Sequence, residues 1–308
     1  MSHRLRHLTT LERLPRSTIE RLLDRAERLR DACAYGTRKL DVLEGRTVLT
    51  LFFEPSTRTR TSFELAARRL GADVVNLDIG HSSTRKGEEL VDTLHTLEAM
   101  HLDAIIVRHS QAGTADSLVR LAMSGVSVIN AGDGEHAHPT QGLLDALTIR
   151  QHRPDFSKLR IAICGDIKHS RVARSDLHAL VTLGAREVRL CGPETMLPAA
   201  GEFPQARHYT DFDQAIEGVD AVIMLRLQKE RMAATELPDE AAYYDRYGLS
   251  PQRLARAADG CLVMHPGPIN RGIEIAPEVA DGPQSRILEQ VSNGVFVRMA
   301  VLDEVLAR

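Results

Sequence analysis

Residues 46–71 read RTVLTLFFEPSTRTRTSFELAARRLG: a strand, a break and a helix. TVLTLFF (47–53) is an almost wholly apolar run, the pattern of a strand covered on both faces of a parallel sheet. Pro55 stops the strand, Ser56 suits a helix N-cap, and 57–70 continues as an amphipathic helix. Arg58 and Arg60 therefore fall in the first turns of a helix, at the positive end of its dipole. A cation there costs about 0.3–1 kcal/mol. Thr59 also stands where a capping box would place Glu or Gln.

A bound anion would remove the anomaly. The backbone N–H groups of residues 57–59 lack helical partners, and Arg58 offers a planar fork that matches a phosphate edge. The hydroxyls of Ser56, Thr57 and Thr59 add short donors. A capped helix with solvated arginines is the alternative that the residues leave open.

Outward from this stretch, strands and helices alternate. Further strands are expected at 73–78, 104–109 and 126–130, then at 160–166, 187–192, 220–225 and 261–265. Helices are expected near 16–34, 88–100, 115–124, 139–152, 171–184, 211–217, 250–258 and 284–306. The fold class is α/β: two domains, each a parallel sheet flanked by helices, with the C-terminal helix returning to the first domain. The boundary falls in the polar stretch QHRPDFSKL, giving domains 1–150 (with about 286–308) and 151–285.

Ligands of such sheets bind at the carboxyl ends of strands, so polar residues there matter most. Arg108 closes DAIIVR; an edge ion pair would account for it equally well. HPTQ (138–141) opens a helix, with Pro139 suited to its first position and His138 to its cap. His138 could donate to a carbonyl oxygen and Gln141 could pair with an amide; a plain turn and cap would look the same. Arg226, Gln228 and Arg231 follow a buried strand and suit a dicarboxylate, or form an exposed charged loop. Arg171 and Arg174 repeat the cation-at-N-terminus anomaly, and Arg171 is nearer the strand end. HPGP (265–268) is a tight turn that fixes its carbonyls and has room for a cis bond at Pro268. SSTRKGEE (82–89) is a polar loop in which Lys86 is a long cation able to reach over a site.

Composition narrows the classes. The chain has 308 residues, 43% apolar and 26% charged, with net charge −3, which gives no reason to expect nucleic acid or an anionic membrane as partner. It has no apolar run long enough for a membrane span and no secretory h-region near Met1, so a cytoplasmic address is expected. Cys33, Cys164, Cys191 and Cys261 are scattered, without metal-site spacing, and are expected to be buried reduced thiols. No glycine fingerprint for dinucleotides, P-loop or GxSxG elbow occurs, and no cofactor or metal is expected.

FFEPSTRTRTSFE, RKGEE, IIVRHS, HPTQGLLDALTI, GDIKHSRVARS, MLRLQKER and MHPGPINRG occur in that order. Together they resemble the catalytic chains of the aspartate carbamoyltransferase family, over essentially the whole chain. STRTR and HPTQ are shared with ornithine carbamoyltransferases; the Lys86 loop, RLQKER and HPGP discriminate. The ornithine branch has HCLP and a Ser-Met-Gly motif where this chain has HPGP and no Ser-Met-Gly. HPGP also departs from the HPLP of some aspartate enzymes, which keeps the backbone role and removes a leucine side chain.

The resemblance implies transfer of the carbamoyl group of carbamoyl phosphate to the amine of L-aspartate, in de novo pyrimidine biosynthesis. Ser56, Thr57, Arg58 and Thr59 would hold the phosphate. Thr59, Arg108 and His138 would polarise the carbamoyl oxygen, and Gln141 with the carbonyls of Gly267 and Pro268 would orient its NH2 group. Arg171, Arg226 and Gln228 would bind aspartate, joined by Ser82 and Lys86 from a neighbouring subunit of a homotrimer. Domain closure is implied, and regulatory chains or a dihydroorotase are left open as partners. Against these stand an ornithine carbamoyltransferase, which would want acidic residues in the second half, and a non-catalytic binder of phosphorylated metabolites.

Overall fold

The computed structural model describes residues 5–34, 39–78, 90–122, 125–228 and 239–306. It forms two compact units, one of Met1–Leu143 with Ser292–Arg308 and one of Leu144–Val291.

The first unit holds β1 (Thr47–Phe52), β2 (Asp73–Asp78), β3 (Ala104–His109) and β4 (Ser127–Asp133), in the sheet order β2-β1-β3-β4. All pairings are parallel. Around it lie α1 (Arg16–Ala34), α2 (Thr57–Arg69), α3 (Leu90–Glu98), α4 (Thr114–Leu121) and the start of α5 (Pro139–His152). Leu49, Leu51, Ile105, Val107 and Val128 pack with Leu94 and Leu118, so the apolar strands do bury themselves under helices. The last helix, Ile287–Leu306, here α11, enters this unit from Ser292. There Arg21 pairs with Glu304 at 2.7 Å, Arg25 with Asp303, and the Arg298 guanidinium sits 5.0 Å over the buried Phe63 ring. The expected return of the C-terminal helix to the first unit is thus present.

The second unit holds β5 (Arg160–Cys164), β6 (Glu187–Cys191), β7 (Arg207–Tyr209), β8 (Ala221–Met224) and β9 (Leu262–Met264), ordered β7-β6-β5-β8-β9 and again parallel. Its helices are the remainder of α5, α6 (Arg171–Thr182), α7 (Phe212–Ile216), α8 (Glu240–Tyr247), α9 (Pro251–Leu254) and α10 (Pro277–Ala280). β7, α8 and α10 were not foreseen in the sequence. Cys164, Cys191 and Cys261 lie in this core as free thiols, and burial pushes Cys261 up to about 12, which keeps it inert. Cys33 is also free but only half-buried, against the expectation of burial for all the cysteines.

Both sheets reverse direction of winding inside. In the first unit the chain winds outward from β1 to β2 and then starts again on the other side with β3. In the second, β5, β6 and β7 run one way and β8 and β9 the other. Carboxyl ends at such reversals diverge their loops and open a crevice. The reversals lie at β1/β3 and at β5/β8.

Candidate active site

In the first unit, the segment after β1 and the last turn of β3 meet at the reversal. Glu54 leaves β1 and accepts a hydrogen bond from Arg108 Nη2, while Arg108 Nη1 donates to Ala131 O at 3.1 Å. Arg108 is 9% exposed. A guanidinium that far from water needs a carboxylate beside it, and Glu54 supplies one. The partner lies 54 residues back, which is why the sequence alone did not reveal it.

Ser56 caps α2 with an extended backbone (φ −160°, ψ 90°), yet its hydroxyl makes no capping hydrogen bond. α6 behaves otherwise: Ser170 Oγ accepts from Ala173 N at 3.1 Å. The first turn of α2 contains no acidic residue either. Its N-terminal N–H groups are thus not consumed by the cap, as an anion site requires. Thr59 is buried, Thr57 and Arg58 are exposed and Ser56 is half-buried. Arg60 has a separate role: its guanidinium lies 5.3 Å over the Phe52 ring, a cation–π contact that fixes it to the strand. Of the two arginines in the opening anomaly, only Arg58 remains a ligand candidate.

His138 precedes Pro139, the first residue of α5, and its carbonyl accepts from Gln141 N at 2.9 Å. His138 and Gln141 are both buried. The turn that delivers them is organised by Asp133, a residue sequence reading missed. Its carboxylate accepts from Gly113 N (2.8 Å), Asn130 Nδ2 (2.8 Å) and Ala137 N (3.1 Å), and meets His136 Nδ1 at 3.1 Å.

The Asp133 hydrogen bond raises the His136 pKa above 6.5, against an opposing effect of burial. A raised histidine stabilises the fold fully below its unfolded pKa, and that contribution fades as pH rises through the folded value. Tm of the unliganded protein should therefore fall more from about pH 6 to about pH 8 than in His136→Asn. Equal slopes in the two proteins would remove His136 from the turn's stability.

In the second unit, Asp166 follows β5 and is fully buried. Burial raises its pKa, while His169 and backbone donors pull the other way. Its carboxylate meets His169 Nδ1 at 2.9 Å and accepts from Gln228 N at 3.3 Å. One carboxylate therefore ties the loop after β5 to the loop after β8. Gly165 makes this possible: its φ is +132°, and a Cβ there would stand 2.7 Å from Leu225 O. Arg171, the first residue of α6, is buried. Arg226 and Gln228 are half-buried, with Arg226 Nη2 donating to Gln228 Oε1 at 3.4 Å. Arg174 belongs to the scaffold, since it pairs with Glu202 and lies 5.2 Å over the Phe203 ring.

The turn after β9 has a cis Gly267–Pro268 bond. Gly267 N donates to His265 Nδ1 at 2.8 Å, so His265 carries its proton on Nε2, which donates to Glu274 at 3.1 Å. Ser82, Lys86 and Arg231 lie outside the described residues. Among the described residues, no group of three or more His, Cys, Asp or Glu could hold a metal ion. No helix of theirs is long and apolar enough to cross a membrane.

Residues 6–151 match the family model for the aspartate/ornithine carbamoyltransferase carbamoyl-P binding domain, and 157–305 match the Asp/Orn binding domain. The chain is 58% identical over 307 residues to an aspartate carbamoyltransferase catalytic subunit of Stenotrophomonas maltophilia, covering 99% of this chain and 97% of that one. A Xanthomonas euvesicatoria protein of the same description is 59% identical over 304 residues, with 98% and 96% covered. Aspartate transcarbamoylase of Trypanosoma cruzi in complex with N-(phosphonacetyl)-L-aspartic acid superposes with TM-score 0.88 at 32% identity, covering 98% of this chain and 96% of that one. Ornithine carbamoyltransferase of Thermus thermophilus gives 0.84 at 27% identity, covering 96% and 98%.

Proposed function

Because this chain belongs to the aspartate/ornithine carbamoyltransferase family, we propose that it follows the aspartate branch of that chemistry. It transfers the carbamoyl group of carbamoyl phosphate to the amine of L-aspartate, giving N-carbamoyl-L-aspartate and phosphate, a step of pyrimidine biosynthesis. One observation supports this branch above the ornithine one. Arg171, Arg226 and Gln228 stand at the carboxyl ends of the neighbouring strands β5 and β8, where two guanidinium forks and an amide suit two carboxylates. The nearby acidic group, Asp166, is buried and already engaged by His169 and Gln228, so it is poorly placed to receive a cationic side chain.

In this reading residues 1–150, with the C-terminal helix, bind carbamoyl phosphate, and 151–285 bind aspartate. Arg58 and the hydroxyls of Ser56, Thr57 and Thr59 hold the phosphate at the α2 N-terminus. Thr59, Arg108 and His138 face the carbamoyl oxygen. Gln141 and the carbonyls of Gly267 and Pro268 receive its NH2 group. As the aspartate amine attacks, charge grows on that oxygen, and preorganised donors hold it; one such donor is worth about 2.7–4 kcal/mol. The departing phosphate takes the amine proton, so no side chain need act as nucleophile or base. Much of the rate comes from holding two small anions in register. The assembly is a cytoplasmic homotrimer, with Ser82 and Lys86 serving the neighbouring subunit's site.

Phosphate release with L-aspartate and with L-ornithine as acceptors tests the branch. Turnover on ornithine alone would reverse the assignment, and turnover on neither would leave a binding protein. Arg226→Ala should raise the aspartate KM by about 10- to 100-fold, the loss of charge-assisted hydrogen bonds, with carbamoyl phosphate Kd within about twofold. Equal weakening of both ligands would show that Arg226 is not specific to aspartate.

A further inference from the structure

Beneath the HPGP turn lies a polar chain that none of the assigned roles uses. Asp145 of α5 and Asp176 of α6 are each 1% exposed, deep in the second unit. Asp145 Oδ1 accepts from Gln290 Nε2 at 2.6 Å, and Gln290 Oε1 accepts from His265 N at 2.9 Å. His265 then grips Gly267 N on one nitrogen and Glu274 on the other, and Glu274 also accepts from Asn270 N at 2.5 Å. The turn is thus fastened before and after Gly267–Pro268.

Asp176 is the unexplained member. Neither carboxylate oxygen has a hydrogen-bond donor among the described residues. As an anion it would be buried, unsatisfied and beside a second anion, an arrangement that costs far more than a protonation. As an acid it becomes a donor, and Asp145 is the acceptor it faces. Burial raises the Asp176 pKa well above its ordinary value, and the Asp145 charge and hydrogen bond raise it further. Every link then has one polarity: Asp176 O–H to Asp145, Gln290 N–H to Asp145, His265 N–H to Gln290.

We propose that Asp145 and Asp176 hold one proton between them and that this acid–carboxylate pair, through Gln290, positions the His265–Pro268 backbone for the carbamoyl NH2 group. Asp145, Asp176 and Gln290 are positioning residues and touch no substrate. The positioning half rests on the role given above to the Gly267 and Pro268 carbonyls; the proton half stands without it.

Asn is the isostere that keeps a donor at 176, and Leu is the one that removes it. Asp176→Asn should bind carbamoyl phosphate within about twofold of wild type. Asp176→Leu and Gln290→Leu should bind it about tenfold more weakly, the loss of one oriented hydrogen bond. Inorganic phosphate, which has no amide, should bind all four proteins within about twofold. Calorimetric titration with both anions measures this split. Difference infrared spectra at pH 8 should show a protonated-carboxyl carbonyl band in wild type that is absent in Asp176→Asn. Absence of the band in wild type, or an Asn variant as impaired as the Leu variant, overturns the shared proton. Equal weakening of both anions in the Leu variants overturns the positioning. Wild type that binds phosphate but not carbamoyl phosphate would instead sink the proposed function and leave the infrared result standing. If Asp176→Leu does not fold, Gln290→Leu and the infrared comparison decide alone.

Discussion

Arg58→Ala is expected to lower kcat by about 100- to 1,000-fold while the protein stays folded. The two halves of that result come from one physical fact. Arg58 sits in the first turn of α2, a turn that itself contains no acidic residue and whose Ser56 hydroxyl makes no capping bond. Removing a cation from the positive end of a helix relieves up to about 1 kcal/mol, less for an exposed side chain. Thermal stability without ligand should be unchanged or slightly raised. Stabilisation by added phosphate, present in wild type, should be lost with the guanidinium. A variant that melts far below wild type without ligand would make Arg58 structural, and the anion site would lose its main support.

The other large effect concerns chains rather than residues. If the proposed shared-site trimer holds, Arg58→Ala and Lys86→Ala proteins should each be nearly inactive. Mixed equally, dissociated and reassembled, they should regain about a quarter of wild-type sites. A site works only where a Lys86→Ala chain supplies Arg58 and its neighbour supplies Lys86, and each condition has an even chance. Sites built from single chains would recover nothing. Zero activity in mixtures shown by native mass to contain hybrids would end the shared-site reading.

The fold was largely legible because parallel strands buried on both faces write themselves as apolar runs. TVLTLF and AIIVRH were placed to within a residue of the observed strands. The element missed most plainly, β7, is a three-residue edge strand, RHY, mostly exposed. It has neither the length nor the burial that leaves a pattern. The strand-end candidates were legible as residue types at strand ends, and the structure puts the described ones of each unit at the carboxyl edge of its own sheet. What the sequence could not show was pairing. Glu54 and Arg108, Asp166 and Gln228, and Asp145 and Gln290 are 54, 62 and 145 residues apart. Nothing local marks such partners, because only the packing of strands and helices distant in sequence makes them neighbours. The same gap explains Arg60 and Arg174: each looked like Arg58 and Arg171 in sequence, and each turned out to lie over an aromatic ring.

The chain order of the two units has a consequence for synthesis. The first unit is made of Met1–Leu143 and of Ser292 onward, and the whole second unit is threaded between them. Synthesis in the N-to-C direction therefore exposes β1 to β4 long before it makes Asp303 and Glu304, which pair with Arg25 and Arg21, or Val305, whose carbonyl accepts from Ser127 Oγ at 3.3 Å. The first half to emerge is the last to be completed, and the second unit can reach its native pairing first. A released chain truncated after Val291 should show protease protection over β5 to β9 while β1 to β4 are still cut, an inversion of the usual N-to-C order of domain folding.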